Sequence, residues 1–142
     1  MTTTTERPNR KEGSADPNEE WPVIHAYTRA EAIADGVLVA VSEKLARDAG
    51  FRVPVALTRE VHETYVRVPE GVRLQCETGR LWDILWMTRH AYQNDRSGNP
   101  VVTVHLDVRN SNQGSQPVKL KACFGPGDTG ECVLTIMMPG ES

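Results

Sequence analysis

The last third of the chain alternates apolar and polar residues with a period of two. Valine or leucine occupies every second position over residues 102–108, which is typical of a strand with one buried face. The alternation recurs over residues 118–124, and an apolar stretch covers residues 132–138. Turns rich in Gly and Asn separate the three segments, so they predict a three-stranded antiparallel meander.

The first half of the domain predicts short strands alternating with short helices. Residues 37–41 and 52–57 are apolar enough for strands. Because Pro54 lacks an amide proton, it favours an edge strand or an irregular piece for residues 52–57.

Each predicted short helix begins at a hydroxyl side chain that can accept from the first turn. Thr28 and Glu31 form a capping-box pattern before a helix at residues 29–35. Ser42 precedes a second helix that ends at Gly50, and Thr58 precedes a third that ends near Val66.

The longest predicted helix covers residues 79–93, with Leu81, Ile84 and Leu85 on its apolar side. Trp82, Trp86 and Met87 widen this side, which predicts a helix packed on two sides. The expected fold class is α+β, with short βα units and one long central helix packed on the C-terminal meander.

Apart from Ala15, residues 1–20 contain no aliphatic or aromatic residue after the first methionine. A segment with so little to bury cannot offset the entropy lost on ordering, so a disordered tail is expected. Ordered structure is expected from Trp21, in the strand-like run at residues 21–27. Residues 21–142 should form a single α+β domain.

Composition and charge narrow the class of protein. The chain of 142 residues is 39% hydrophobic and 25% charged, with a net charge of −3. An acidic protein lacks the positive field that holds nucleic acid, so DNA or RNA is not expected as the main partner. Because the chain has neither a membrane-length apolar run nor a signal-peptide core, we expect a cytoplasmic protein without a membrane contact.

The three cysteines fit a reducing compartment, since an odd number cannot close a disulfide framework. We expect free thiols with packing roles. Cys123 and Cys132 bracket a turn, and a bond between them is the geometric alternative.

No residue pattern predicts a metal or a cofactor. The four histidines show no ligand-pair spacing. The Gly-rich stretch at residues 125–130 precedes a strand rather than a helix, so it predicts a turn instead of a phosphate cradle.

Asp83 and His90 are the only catalytic candidates. Asp83 interrupts the apolar run of the central helix, and His90 follows two turns later on the same side. A cleft containing both beside Trp82 or Trp86 would suit a small enzyme or ligand-binding domain. The alternative is a solvated helix side carrying an Arg80–Asp83 pair.

A binding surface is the other functional hypothesis. Trp82 and Trp86 could form an aromatic patch. Arg109, Lys119 and Lys121 could line the outer face of the meander as a basic stripe for an acidic partner, or could simply keep that face solvated.

Several motifs resemble a family of small bacterial proteins of unknown function that occur on plasmids, phages and other mobile elements. They are YTRAEAIADGVLV at residues 27–39, AGFRVPVALT at 49–58, GRLWDILWM at 79–87, GPGD at 125–128 and TIMMPGE at 135–141. The resemblance covers residues 23–141 and supplies no catalytic residues.

The resemblance implies a genomic setting in which small accessory proteins counter host defences, including CRISPR and restriction systems. We therefore expect a non-enzymatic factor that binds a host protein or protein complex. The small enzyme or ligand-binding domain remains the alternative.

Overall fold

The computed structural model describes residues 27–141. The expected tail, residues 1–20, lies outside the described part, as does the strand predicted at residues 21–27 except for its last residue. The described chain is α+β, with one mixed sheet and one long helix against it.

Four helices are present between residues 27 and 141. They are α1 (Arg29–Ala34), α2 (Glu43–Asp48), α3 (Arg59–Val61) and α4 (Glu77–Asn94). Within this part of the chain, none is both long and apolar enough to cross a lipid bilayer. The third helix is shorter than predicted, because the chain continues from it as a π-helical turn, His62–Val66.

The three predicted helix caps are confirmed. The hydroxyl oxygens of Thr28, Ser42 and Thr58 each accept a hydrogen bond from an amide in the following turn. At Thr28 the capping box is complete, since the Glu31 carboxylate accepts from the Thr28 amide at 2.9 Å. These caps satisfy amides that the helices themselves leave unpaired.

The sheet has five strands in the order β1-β2-β5-β4-β3. The strands are β1 (Leu38–Ala40), β2 (Val55–Thr58), β3 (Val101–Ser111), β4 (Gly114–Pro126) and β5 (Cys132–Met137). Strands β2 and β5 are parallel, and the other neighbours are antiparallel.

The predicted sheet of three antiparallel strands is wrong in its extent. Strands β3, β4 and β5 pair as a meander, but β2 continues the sheet beyond β5. Val55, Ala56 and Leu57 are all buried, so β2 is an interior strand rather than the predicted edge. Pro54 precedes the strand, and its carbonyl accepts from the Leu134 amide at 2.9 Å.

The core lies between α4 and one face of the sheet. On α4 the buried apolar side chains are Ile84 and Leu85. They pack with buried side chains of the facing strands, among them Val104, Leu120 and Ile136. The prediction that α4 packs on two sides through Trp82, Trp86 and Met87 holds only in part, since Trp82 and Met87 pack against the core whereas 47% of Trp86 is exposed. Only one side of α4 faces the sheet.

Helix α1 covers part of the opposite sheet face. The Arg29 guanidinium donates to the Thr135 hydroxyl at 2.6 Å and to the Leu134 carbonyl at 3.0 Å. The Asp128 carboxylate accepts from the amides of Arg29 and Ala30, which lowers its pKa. The outer face of β3 lies beyond this cover.

Arg80 joins α4 to two other parts of the fold. Only 5% of this residue is exposed. Its guanidinium donates to the Tyr65 carbonyl at 2.8 Å, to the Arg109 carbonyl at 2.9 Å and to the Asn110 side-chain oxygen. The Asn110 amide in turn donates to the Thr64 carbonyl at 2.9 Å. Burial lowers the pKa of Arg80.

Tyr92 fixes the other end of α4. Its hydroxyl donates to the Pro100 carbonyl at 2.6 Å, and its ring lies 4.6 Å from that of Phe124. Burial is the main cause that raises the pKa of Tyr92. Together, Arg80 and Tyr92 hold α4 along the length of β3.

The hydrogen bonds of β3 show which of its backbone groups point toward β4 and which point away. The Phe124 amide donates to the Pro100 carbonyl at 3.0 Å, beside the facing residues Val101 and Cys123. In an antiparallel ladder this bond identifies Val101 and Cys123 as a non-hydrogen-bonded pair. The backbone groups of Val101 therefore point away from β4.

A row of backbone groups on the outer side of β3 has no hydrogen-bond partner in the described chain. Hydrogen-bonded and non-hydrogen-bonded pairs alternate along an antiparallel ladder. The amides and carbonyls of Thr103, His105 and Asp107 therefore also point away from β4. Among the described strands, β3 has a neighbour on one side only. These six backbone groups have no hydrogen-bond partner within residues 27–141.

Both ends of this row are closed by side chains. The Val101 amide donates to the Asn99 side-chain oxygen at 2.8 Å. At the other end, Arg80 donates to the Arg109 carbonyl. The residues from Thr103 to Asp107 lie between these two hydrogen bonds.

We predict that Arg80→Met lowers the free energy of unfolding by about 3 kcal/mol, because it leaves buried acceptors without donors. Denaturant titration of the purified protein measures the change. Arg89→Met is the matched control on the same helix. The Arg89 guanidinium lies 5.6 Å from the centre of the Trp86 ring, a contact worth less than about 1 kcal/mol. Equal losses in the two variants would contradict the prediction.

We predict alternating hydrogen exchange along β3. The amides of Val104 and Leu106 point to β4 and should exchange at least about a hundredfold more slowly than those of Thr103, His105 and Asp107. Exchange followed by NMR at low protein concentration measures this directly. Uniform protection along the strand would mean that something covers its open side.

Candidate functional site

A shallow depression, which we call the edge furrow, runs between α4 and the open side of β3. Its middle is a cavity of about 560 Å³. A second cavity, of about 430 Å³, shares Met87 and His105 with it. A third shares Asp83, Leu106 and Asp107 with it. The shared residues make the three cavities one continuous surface.

Helix geometry supplies one wall of the furrow. One stripe along α4 begins at Asp83 and continues three, four and seven positions later with Trp86, Met87 and His90. The opposite side of the helix carries Ile84 and Leu85 into the core. Trp86 and Met87 thus give the furrow an apolar centre with polar groups on either side.

The other wall is β3, whose period-two pattern separates two faces. Val102, Val104, Leu106 and Val108 point into the core. The exposed side chains of Thr103, His105 and Asp107 share the outer face. These same residues carry the open backbone groups, so recognition by backbone and by side chain can occur along one strand.

Asp83 and Asp107 are the carboxylates at one end of the furrow. Both are exposed. Within residues 27–141 neither forms an ion pair or a side-chain hydrogen bond. The proposed Arg80–Asp83 pair is absent, because Arg80 turns to Tyr65, Arg109 and Asn110 instead.

The catalytic candidates do not form an acid–base pair in the described chain. The Nε2 atom of His90 lies 2.9 Å from the Asn94 side-chain nitrogen, one turn further along α4. Asp83 and His90 line neighbouring cavities of the furrow rather than one common pocket. Within the described residues, no group of three or more potential ligands could hold a metal ion.

The two tryptophans have different positions. Their rings stack with centroids 6.0 Å apart and an interplanar angle of 21°. Trp82 is half-buried against the core cluster, whereas Trp86 lines the furrow. Trp86 is therefore the aromatic residue that a partner can reach there.

Arg109, Lys119 and Lys121 share the outer sheet face, but their charges are not equally available. Arg109 donates to the Ser111 carbonyl at 3.2 Å. Lys121 donates to the carbonyl of Glu141. Lys119 is exposed and lines the furrow. In the described structure, Lys119 is the member of the predicted stripe that forms neither an ion pair nor a side-chain hydrogen bond.

The sequence did not single out Met87, Thr103, His105 and Asp107, which line the furrow, as candidate site residues. The alternation over residues 102–108 does identify the outward positions of the strand. That β3 is an edge strand follows only from the order of strands in the sheet, which local patterns do not encode.

A separate cavity of about 190 Å³ lies near the opposite edge of the sheet, between α1 and α2. Ile33, Phe51 and Val53 contribute apolar surface to it, and Arg29 and Arg52 lie at its border. The Arg29 guanidinium is already bound to β5.

All three cysteines are free thiols in the structure. In the hairpin register, Cys123 faces Thr135 and Cys132 faces Pro126. Pro126, which faces Cys132, lies three residues after Cys123 on β4. Since side chains alternate between the two faces along a strand, Cys123 and Cys132 lie on opposite faces of the sheet. The alternative of a bond between them would require a different strand register.

Comparison with known proteins identifies a family. The model of a family of unknown function, DUF6573, matches residues 18–142. No curated protein matches the chain, and no solved structure does. Since the match spans most of the chain, including α4 and all five strands, this protein belongs to the DUF6573 family.

Proposed function

We propose that the protein is a non-enzymatic binding factor that takes up an extended segment of a partner protein along β3. One observation carries the proposal. The amides and carbonyls of Thr103, His105 and Asp107 point out of the sheet without partners in the described chain, and Thr103, His105 and Asp107 line the furrow beside that edge. An added strand would satisfy them as β4 satisfies the other side of β3.

The furrow adds specificity to the backbone pairing. Main-chain hydrogen bonds at a sheet edge supply affinity that depends little on sequence, whereas side-chain pockets beside the edge select the partner. Trp86 and Met87 offer the apolar part of such a pocket, and Asp83, His90 and Lys119 offer polar groups around it.

The proposed setting is that of a cytoplasmic accessory factor of a mobile element. The partner would be a host protein or protein complex, and the outcome would include inhibition of a CRISPR or restriction system. The support is the resemblance described above. Strand addition suits such a role, because a small protein can occupy a partner stoichiometrically without any chemical step.

The small enzyme or ligand-binding domain has less support. Asp83 and His90 do not contact each other, and the furrow is open rather than enclosed. An acid–base mechanism requires both groups within reach of one substrate.

The test of strand addition is selection of random ten-residue peptides displayed on phage, followed by affinity measurements on purified peptides. We predict that Thr103→Pro weakens the selected peptides at least about tenfold, because it removes an outward donor and places a ring where the peptide backbone must lie. Since the Thr103 amide does not pair with β4, the variant should keep its thermal midpoint within about 3 °C.

Glu43→Pro is the matched control. Glu43 is the first residue of α2, near the opposite edge of the sheet, and proline is tolerated at that helix position. Its peptide affinity should equal that of the wild type. Equal weakening by the two prolines, or selected peptides that ignore Thr103→Pro, would refute strand addition at β3.

A further inference from the structure

We infer that the segment bound along β3 carries two consecutive basic residues, one for Asp107 and one for Asp83. The inference rests on the proposed function, since it needs an extended segment at the edge of β3. It specifies the chemistry of the partner: an extended peptide with a Lys or Arg pair next to an apolar position.

The alternation of side chains along a strand explains why the basic residues should be consecutive. In an added strand, a residue directly opposite Asp107 shares the outer face of the sheet with it. The next residue lies opposite Leu106 and points to the other face, toward α4. Two neighbouring side chains of the partner therefore emerge on opposite sides of the edge.

Asp83 and Asp107 stand at the same level of the furrow, on those two sides. Both line the middle cavity, and both line the cavity at the Arg80 end, together with Leu106. Asp83 belongs to α4 and Asp107 to the outer face of β3. A basic pair at this level would place one cation beside each carboxylate.

No cation within residues 27–141 forms an ion pair with either carboxylate. Arg80 and Arg109 lie near them, but their guanidinium groups bind carbonyl oxygens. Lys119 lies on β4 opposite His105. It forms no ion pair with Asp107 within residues 27–141. Since salt bridges at exposed sites are weak singly, a pair of them gives selectivity rather than most of the affinity.

The apolar centre of the furrow specifies one further residue of the partner segment. Trp86 is about one helical turn beyond Asp83 on α4, and Met87 lies beside it. The α4 side of an added strand is reached by every second residue. The partner residue two positions from the one that meets Asp83 should therefore be apolar.

A second copy of this chain fits the furrow poorly. Its own edge strand, β3, has the sequence VVTVHLDVRNS and contains no consecutive basic pair. Pairing of two β3 strands would bring a second Asp107 into the furrow without a cation for Asp83. Charge complementarity thus favours a partner segment over self-association.

The experiment uses the same displayed library and the full-length protein at low ionic strength. Among the peptides selected by the wild type and weakened by Thr103→Pro, consecutive Lys or Arg pairs should be enriched over the unselected library. Asp83→Asn and Asp107→Asn should each weaken such a peptide about three- to tenfold. The charge-matched control Asp48→Asn, on α2, should change affinity less than about twofold.

A double-mutant cycle tests the assignment of each charge. Replacing one basic residue of the peptide by Ser should remove the effect of one aspartate variant and leave the effect of the other. Edge-dependent peptides without basic pairs would overturn this inference and leave strand addition standing. Selected peptides that ignore Thr103→Pro would overturn both. Sedimentation showing a dimer that Thr103→Pro dissociates would identify a second copy as the occupant and overturn the inference.

Discussion

The buried guanidinium of Arg80 organises the part of the structure on which the furrow depends. It binds backbone carbonyls and an amide oxygen rather than a carboxylate. A buried cation is costly unless every donor direction finds an acceptor. The turn after α3, the end of β3 and helix α4 must therefore come together in one arrangement. That arrangement sets the position of α4 over the sheet and hence the position of the furrow wall that α4 forms.

The two edge strands of the sheet differ in length and in how much of their outer backbone is covered. Strand β1 has three residues and contacts α1, so little backbone is open there. Strand β3 has eleven residues and a regular alternation. Long exposed edges are a liability that proteins usually block with charges, prolines or bulges. Here a bulge and side-chain caps appear at the ends of β3, while its central stretch remains open.

Local patterns in the sequence account for the elements but only in part for their assembly. The hydroxyl caps of Thr28, Ser42 and Thr58 mark helix starts because capping is a short-range interaction. The parallel pairing of β2 with β5 joins residues far apart in sequence, and no local signal encodes it. Asp83 was identifiable as an unusual polar residue in an apolar run. Its proximity to Asp107 depends on the packing of α4 across β3, so sequence alone could not provide it.

The side-chain caps at the ends of β3 also limit the length of its open interval. Asn99 binds the backbone at one end and Arg80 binds it at the other, so the open interval of β3 is bounded on both sides. Filament growth requires strands that template one another over a long, uninterrupted register. A bounded interval offers only a short template for such growth, so the caps at its two ends oppose fibrous aggregation through β3.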